Sequence, residues 1–479
     1  MRKNNAFRRA AALMAVLSIT VSLAAPAFAG TYYIDNGDIT VTKNADGSQT
    51  VEQNGTSNND SDEIIITTTG AAITTLESDL EGPAAEDSDF GPVVEDNYQP
   101  AQPEDAEKPE GADQPEIAEE AKSADQHESA EQDQPQQAAP AAAPAGSTPV
   151  NPKDDGFWGN TITVINNFVD KALNLTLKDV KIDVSDTGGD NFEFEDDQRG
   201  KAALSVQGKG NVEIELDGDN ELKSGASRAG LEKTSTGKLT LKDDNKEAGS
   251  LTATGGASAA GIGGGYLGDG RDITITGGTV DATGGYGSAG IGGGKEGKGE
   301  NITITGGTVN ATSNDGAGIG GGLLGSGENI AITGGTVNAT GTDGAGIGGG
   351  NGGVGKNITI TGGTVNTTGG DNGGAGIGGG AEGGGGNNIT IKGGTVTATG
   401  GGYRGNSGAG IGGGSSGSGE NITINDGKVT ATGGNYAAGI GGGSVGAWGG
   451  DAGSGTNIPI NGGTVNATGT DGGAGIGGG

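Results

Sequence analysis

Three tyrosines and one arginine are the residues of this sequence best suited to bind a ligand. Tyr286, Tyr403 and Tyr436 stand in short glycine-rich segments between repeated blocks, and Arg404 follows the second of them. Aromatic rings offer flat faces on which the C–H surfaces of sugars stack, and a guanidinium binds hydroxyl or carboxylate groups. We therefore predict a glycan-contact edge at these residues. The alternative is that tyrosines in such turns only cover exposed backbone.

Two aspartates have the spacing of a cation site. Asp315 and Asp343 each stand two residues before the alanine of a repeated AGIGGG block. Stacked repeats would place the two carboxylates about 5 Å apart, where like charges repel each other. A Ca²⁺ ion held between them with turn carbonyls is one relief, and outward-pointing side chains in water are the other. No other metal and no organic cofactor is predicted.

The remaining acids do not have the pattern of a catalytic pair. Glu300 and Glu328 occupy equivalent repeat positions, with Arg271 before them and Lys356 after them. Polysaccharide-cleaving enzymes built as parallel β-helices need acids that converge in a groove. This row instead predicts a solvated corner with paired charges. His127, the one histidine, lies in an acidic Pro-rich segment, so the sequence predicts a non-enzyme.

Composition limits the classes of protein that this chain can be. It has 479 residues, 108 glycines, no cysteine and a formal net charge of -34. Nucleic acid is excluded as a partner because phosphate binding needs clustered Lys and Arg. Disulfides are impossible, and so much glycine argues against a conventional close-packed enzyme.

A repeat sets the architecture. The string AGIGGG begins at residues 260, 289, 317, 345, 375, 409, 438 and 474, with a block similar to NITITGGTVNAT in each interval. Each interval keeps 18 residues constant, and all variation lies in two turns, the first of 6 to 13 residues and the second of 4 to 9. Constant strands joined by variable turns are typical of stacked coils.

Within the constant frame, apolar residues alternate with polar ones, which indicates strands. Ile302, Ile304 and Val309 are predicted to face inward, followed by Ala317 and Ile319 on a third strand. Similar strands continue upstream to residue 173. The sequence thus predicts an all-β, right-handed parallel β-solenoid of about ten coils, with three short strands per coil.

The chain divides into five predicted regions. Residues 1–29 have the charged start, apolar stretch and Ala-Phe-Ala cleavage site of a secretory signal peptide, so we expect a secreted or cell-surface location. No later run has the length of a membrane span. Residues 30–82 form an N-terminal β segment, 83–155 a disordered Pro/Ala/acidic linker, 156–259 the N-terminal coils and 260–479 the glycine-rich coils. The linker holds 11 of the 13 prolines and has little to bury.

The run AALSVQGKGNVEIELDGDNELKSGASRAGLEK, followed by SLTATGG, AGIGGG and ITITGGTVNATG, resembles glycine-rich β-solenoid surface proteins of Gram-positive bacteria that are labelled carbohydrate-binding-domain proteins. The resemblance implies non-catalytic contact with polysaccharide or cell-surface glycans. The alternative is a structural spacer or matrix protein without a ligand. Ice binding by threonine arrays is a third, weaker alternative, because one of the threonine columns is interrupted.

Overall fold

The computed structural model describes residues 30–60, 63–69, 156–189, 198–403, 405–445 and 451–479. They form an all-β parallel solenoid of about eleven turns, which confirms the predicted fold class. One 3-10 turn, Ile34–Asn36, is the helical element among them. Within these ranges, no helix has the length and apolar character that crossing a membrane requires. The predicted signal peptide and the acidic linker lie outside the described residues.

The strands lie on three faces of the solenoid. Face 1 begins each coil, with strands Gly30–Tyr33, Ile64–Thr67, Leu173–Lys178, Val212–Lys223, Leu239–Lys242, Gly270–Ile275, Gly299–Ile304, Gly327–Ile332, Gly355–Ile360, Gly386–Ile391, Gly419–Ile424 and Gly455–Thr456. Face 2 follows, with strands Lys181–Asp183, the second half of Val212–Lys223, Gly249–Thr254, Thr279–Ser288, Thr308–Asp315, Thr336–Thr340, Thr364–Thr368, Thr395–Thr399, Lys428–Asn435 and Thr464–Thr470.

Face 3 closes each coil. Its strands are Ile39–Lys43, Ile162–Asn166, Leu204–Gly208, Leu231–Lys233, Ile262–Gly263, Ile291–Gly292, Ile319–Gly320, Ile347–Gly348, Ile377–Gly378, Ile411–Gly412, Ile440–Gly441 and Ile476–Gly477. Two antiparallel strands, Gln49–Gln53 and Thr56–Asn59, extend this face at its N-terminal side. A separate hairpin pairs Gly402–Tyr403 with Asn406–Ser407.

The core has the composition that the alternation predicts. Ile302, Ile304, Val309, Ala317 and Ile319 are all fully buried, and their counterparts in neighbouring coils pair with them in parallel register. Like side chains therefore stack on like along the axis, and each coil buries its small apolar set against the next.

The glycines of face 3 are fixed by close backbone packing. Gly292 has φ +135°, and a Cβ there would overlap the carbonyl oxygen of Gly320 in the next coil. The region of φ that this residue adopts favours glycine. Face 3 consequently carries only two strand residues per glycine-rich coil, and it cannot present side chains to a ligand.

The strands before the acidic linker belong to the same stack as those after it. Ile39–Lys43 pairs in parallel with Ile162–Asn166, and Ile64–Thr67 pairs with Leu173–Lys178. The sequence predicts an N-terminal β segment whose opening, GTYYIDNGDITVT, resembles the start of the same solenoid family, with the acidic linker inserted between. In the structure, the described strands of residues 30–69 are coils of one solenoid, so the linker is an insertion within it.

The insertion leaves and re-enters a single coil. The chain departs after Ile64–Thr67 on face 1 and returns at Trp158, which bridges to Ile182 on face 2. The carboxylate of Asp35 accepts a hydrogen bond of 2.6 Å from the Thr69 backbone N–H. The Nδ2 group of Asn160 donates a hydrogen bond of 2.8 Å to the carbonyl of Ile34, the residue before Asp35. One short segment therefore holds both ends of the insertion.

Candidate functional site

The turn that joins face 2 to face 3, here called the second turn, and the end of the face 2 strand before it carry the described residues of the two predicted sites. Backbone hydrogen bonds stack these turns in successive coils: Asp371 donates to Thr342 at 2.9 Å and Gly434 to Gly408 at 3.0 Å. We call this stack the second-turn row; among its described side chains are Tyr286, Asp315, Asp343, Asn372 and Tyr436. The described side chains of the predicted glycan edge, Tyr286 and Tyr436, thus belong to the same row as the predicted cation pair.

The second turns are not free corners. The first turn of a coil joins face 3 to face 1. Because face 3 is so short, a second turn lies close to the first turn of the following coil and accepts a backbone hydrogen bond from it. Leu323 donates to Gly287 at 2.7 Å, Ser415 to Gly373 at 2.7 Å and Ser444 to Ser407 at 2.8 Å. Backbone hydrogen bonds between first and second turns therefore hold the row in place, although both turns vary in length from coil to coil.

Tyr286 begins the row. The sequence places it in a turn, but in the structure it lies within the strand Thr279–Ser288, which continues past a register shift. Its side chain is 44% exposed, and the Lys295 ammonium lies 5.7 Å from the ring centroid. A cation at this distance is attracted by the ring electrons. Lys295 lies in the first turn that follows Tyr286 along the chain. Its contact with Tyr286 is not predictable from the sequence, because turn lengths differ from coil to coil.

Asp315 and Asp343 are neighbours, as their spacing predicts. Burial raises the pKa of the Asp315 carboxyl, and the charge of Asp343 and a hydrogen bond with it act in the same direction. Tyr286 and Lys295 act against the rise. Asn372 donates to Asp343 at 2.8 Å. Within the described ranges, no group of three or more His, Cys, Asp or Glu residues has the arrangement of a metal site. The Ca²⁺ hypothesis, which invokes the two aspartates with turn carbonyls, stays a prediction.

Tyr436 ends the row. Its side chain is 55% exposed, and its backbone N–H bonds to Thr470 at 3.1 Å. The hairpin that carries the backbone of Tyr403 lies in the preceding second turn, and its Ser407 packs close to Gly434. The structure thus brings the segments of Tyr403 and Tyr436 together. The side chain of Tyr403 and the whole of Arg404 lie outside the described residues.

The acidic corner is a row of paired charges, as predicted. Arg271, Glu300, Glu328 and Lys356 occupy register positions in four successive coils. Lys298 lies 3.7 Å from both glutamates, and Arg271 lies 3.8 Å from Glu300. These carboxylates are partly exposed and compensated by cations, so they do not have the convergent geometry of an acid–base pair.

Asparagine ladders flank the same strands. On face 2, Asn310 donates to Asp281 at 2.5 Å, Asn338 to Asn310 at 2.7 Å and Asn366 to Asn338 at 2.9 Å. A second ladder runs along the start of face 1 from Asp272. Every amide in these ladders donates to the coil on its N-terminal side. The first member of a ladder therefore has only to accept a hydrogen bond, and the carboxylate of an aspartate is a suitable acceptor. The ladders occupy side chains that could otherwise bind a ligand.

Residues 247–479 carry eight segments that match a family model, described as the β-helix repeat. The matched residues are 247–266, 273–295, 302–323, 330–351, 358–381, 389–415, 422–444 and 458–479. This part of the chain is similar to the β-helix repeat family. Comparison with curated proteins and with solved structures gives no match. The matched segments coincide with the coils that carry the second-turn row.

Proposed function

We propose that this protein is a non-catalytic, extracellular glycan-binding or adhesive solenoid, and that the second-turn row is its contact surface. The observation that carries the proposal is the row itself. Aromatic, acidic and amide side chains that are distant in sequence lie along one edge, from Tyr286 to Tyr436. The secretory character of residues 1–29 and the resemblance to carbohydrate-binding surface proteins agree with it.

The chemistry of the row suits a sugar chain. Exposed tyrosine rings offer faces for C–H surfaces, while Asp343 and Asn372 provide acceptors and donors for hydroxyl groups. The row from Tyr286 to Tyr436 covers five intervals between coils, roughly 24 Å at the usual strand spacing. An extended oligosaccharide can follow such an edge, with the tyrosines as contacts at its two ends.

The rigid frame lowers the cost of binding. Backbone hydrogen bonds hold each second turn to its neighbours, so a ligand meets side chains that are already aligned. Preorganised contacts of this kind retain more of their interaction energy as affinity. The strand faces are less suitable because their asparagines are engaged in ladders.

The test is retention of the full chain on immobilised polysaccharides. The double variant Tyr403→Ala/Tyr436→Ala should reduce affinity about tenfold, because two aromatic contacts are lost. The matched control, Thr312→Ala/Thr340→Ala, removes exposed hydroxyl groups from face 2 and should bind like the wild type. Equal retention of the tyrosine variant and the wild type, or no retention of either, would favour the structural-spacer alternative.

A further inference from the structure

A groove at the N-terminal coils lies apart from the second-turn row. It has a volume of about 430 Å³ and is lined by Lys209, Asn211, Thr236, Gly237, Lys238, Asp272, Thr274, Asn301 and Thr303. These residues belong to the corner where the chain enters face 1 and to the outer side of that face. None of them was predicted to bind anything.

The groove runs along the solenoid axis. Strand register places Asn211 beside Lys238, because Val212 pairs with Leu239. It continues through Asp272 to Asn301, since the following strands pair in the same register. Four successive coils thus contribute equivalent positions. The site fits a segment of an extended chain rather than a compact molecule.

Two lysines give one end of the groove a positive charge. Within the described residues, the ammonium groups of Lys209 and Lys238 have neither an ion pair nor a hydrogen bond, and both residues are exposed. Unpaired ammonium groups in neighbouring coils attract an anion. An anionic group that binds both would replace two hydration shells with two charge-assisted hydrogen bonds.

The other end of the groove offers hydroxyl groups. Thr274 and Thr303 line it from the outer side of face 1. Asp272, the one carboxylate among the described residues that line the groove, accepts a hydrogen bond of 3.0 Å from Asn301. Burial lowers the pKa of the nearby Lys233 to about 8, and the charge of Asp272 opposes this shift. Asp272 therefore has a cation close to it, which weakens its repulsion of an anion.

We propose that this groove binds a carboxylate-bearing polysaccharide, with a uronate carboxylate at Lys209 and Lys238 and sugar hydroxyls at Thr274 and Thr303. Among the described residues, no aromatic side chain lines the groove, so ring stacking does not contribute and charge selects the ligand. The inference rests on the proposed function for the class of ligand, but it assigns a second site with different chemistry.

The experiment measures binding of polygalacturonate and of neutral dextran by affinity electrophoresis of the full chain. Wild type should bind polygalacturonate, and Lys209→Gln/Lys238→Gln should bind it about fivefold to tenfold more weakly, as expected for two exposed ion pairs. The control Lys392→Gln/Lys428→Gln makes the same change of charge on exposed lysines of distant coils and should bind like wild type. Binding should also fall with added salt.

Two outcomes would overturn the groove assignment. One is an absence of polygalacturonate binding by the wild type, and the other is equal weakening by both lysine pairs, which indicates attraction without a site. The variant Tyr403→Ala/Tyr436→Ala separates the two proposals: it should lose retention on the polysaccharides bound by the row while keeping the lysine-dependent binding of polygalacturonate. Circular dichroism confirms that each variant is folded.

Discussion

At the scale of single residues, the side chains that stabilise this solenoid act through their copies in neighbouring coils. Asn338 shows the arrangement: it donates to Asn310 and accepts from Asn366. Each amide therefore hydrogen-bonds to the side chains in both neighbouring coils, and the chain of amides ends on the carboxylate of Asp281. Asparagine suits this position because its side-chain amide has both a donor and an acceptor.

Replacing Asn338 with Asp removes the donor and turns an acceptor toward the oxygen of Asn310. We expect Asn338→Asp to lower the free energy of unfolding by about 1 to 2 kcal/mol, since a hydrogen bond is lost and two acceptors face each other. Asp281→Asn is the matched control, because an amide oxygen still accepts from Asn310 there. Thermal unfolding followed by circular dichroism measures both variants. Similar melting temperatures for the two would contradict the ladder.

The carboxylates of Asp315 and Asp343 give a pH-dependent prediction. Since the pKa of Asp315 is raised above its ordinary value of 3.8 in the folded state, its ionised form destabilises the fold. This penalty is absent below the ordinary pKa and becomes complete as pH rises through the folded value. Asp343→Asn should therefore raise the melting temperature at pH 7, by about 1 °C, and leave it unchanged at pH 3.

Calcium titration decides between repulsion and a cation site at this pair. With repulsion alone, millimolar CaCl₂ leaves the melting temperature of the wild type unchanged. A rise with calcium in the wild type that disappears in Asp343→Asn would show that the pair holds a cation.

At the scale of elements, alternation and glycine corners were sufficient to predict the coil. Ile302 and Ile304 alternate with threonines, and Gly307, with φ +77°, turns the chain after them. The extent of the strands was less predictable. Thr279–Ser288 runs through the segment predicted as a turn, because its backbone can pair irregularly with the next coil. The hydrogen bonds between first and second turns depend on the short length of face 3. The sequence does not reveal these hydrogen bonds.

The coil as a unit of stacking gives the prediction at this scale. Removing residues 317–344 deletes one whole coil and joins equivalent positions, so the remaining strands keep their register. We expect this variant to fold with a melting temperature lower by no more than about 5 °C. Removing residues 317–330 instead deletes half a coil and places unlike strands together. If the half-coil deletion melted as high as the whole-coil deletion, register would not control stability.

At the scale of the whole molecule, the resemblance of residues 30–42 to the start of the solenoid family indicated that the acidic segment is an insertion, but it did not identify which strands pair across that insertion. Pairing of Ile39–Lys43 with Ile162–Asn166 joins strands that are far apart in the chain. Local patterns do not encode such a partner. The upstream coils were predictable, in contrast, because Leu204 and Leu231 repeat the spacing of Ile262.

Because both ends of the insertion belong to one coil, its length should matter little to the fold. Replacing residues 71–155 with a Gly/Ser linker of about ten residues should change the melting temperature by less than about 2 °C, since loop length enters closure entropy only weakly. The control Asn160→Ala, which removes the bond to Ile34, should lower stability by about 1 kcal/mol. Loss of cooperative unfolding in the linker variant would show that the insertion itself supports the first coils.

The candidate binding surface was predictable in part. Tyr286, Tyr436 and the two aspartates stand at recognisable positions of the repeat, so their common edge follows from stacking. Lys295, Asn372 and the groove at Lys209 and Lys238 did not follow, because each depends on side chains from different turns or corners. Contacts of that kind appear only when the coils are assembled.

A glycan array is the most direct test of the central claim, that the second-turn row is a glycan-contact surface on a rigid solenoid. The full chain and the variant Tyr403→Ala/Tyr436→Ala would be applied to the same array, with Thr312→Ala/Thr340→Ala as the control for the strand face. We predict a defined set of glycans bound by wild type and control, and loss of the row-dependent members of that set in the tyrosine variant. An array on which the wild type binds no glycan, or on which the tyrosine variant binds every glycan as the wild type does, would contradict the account.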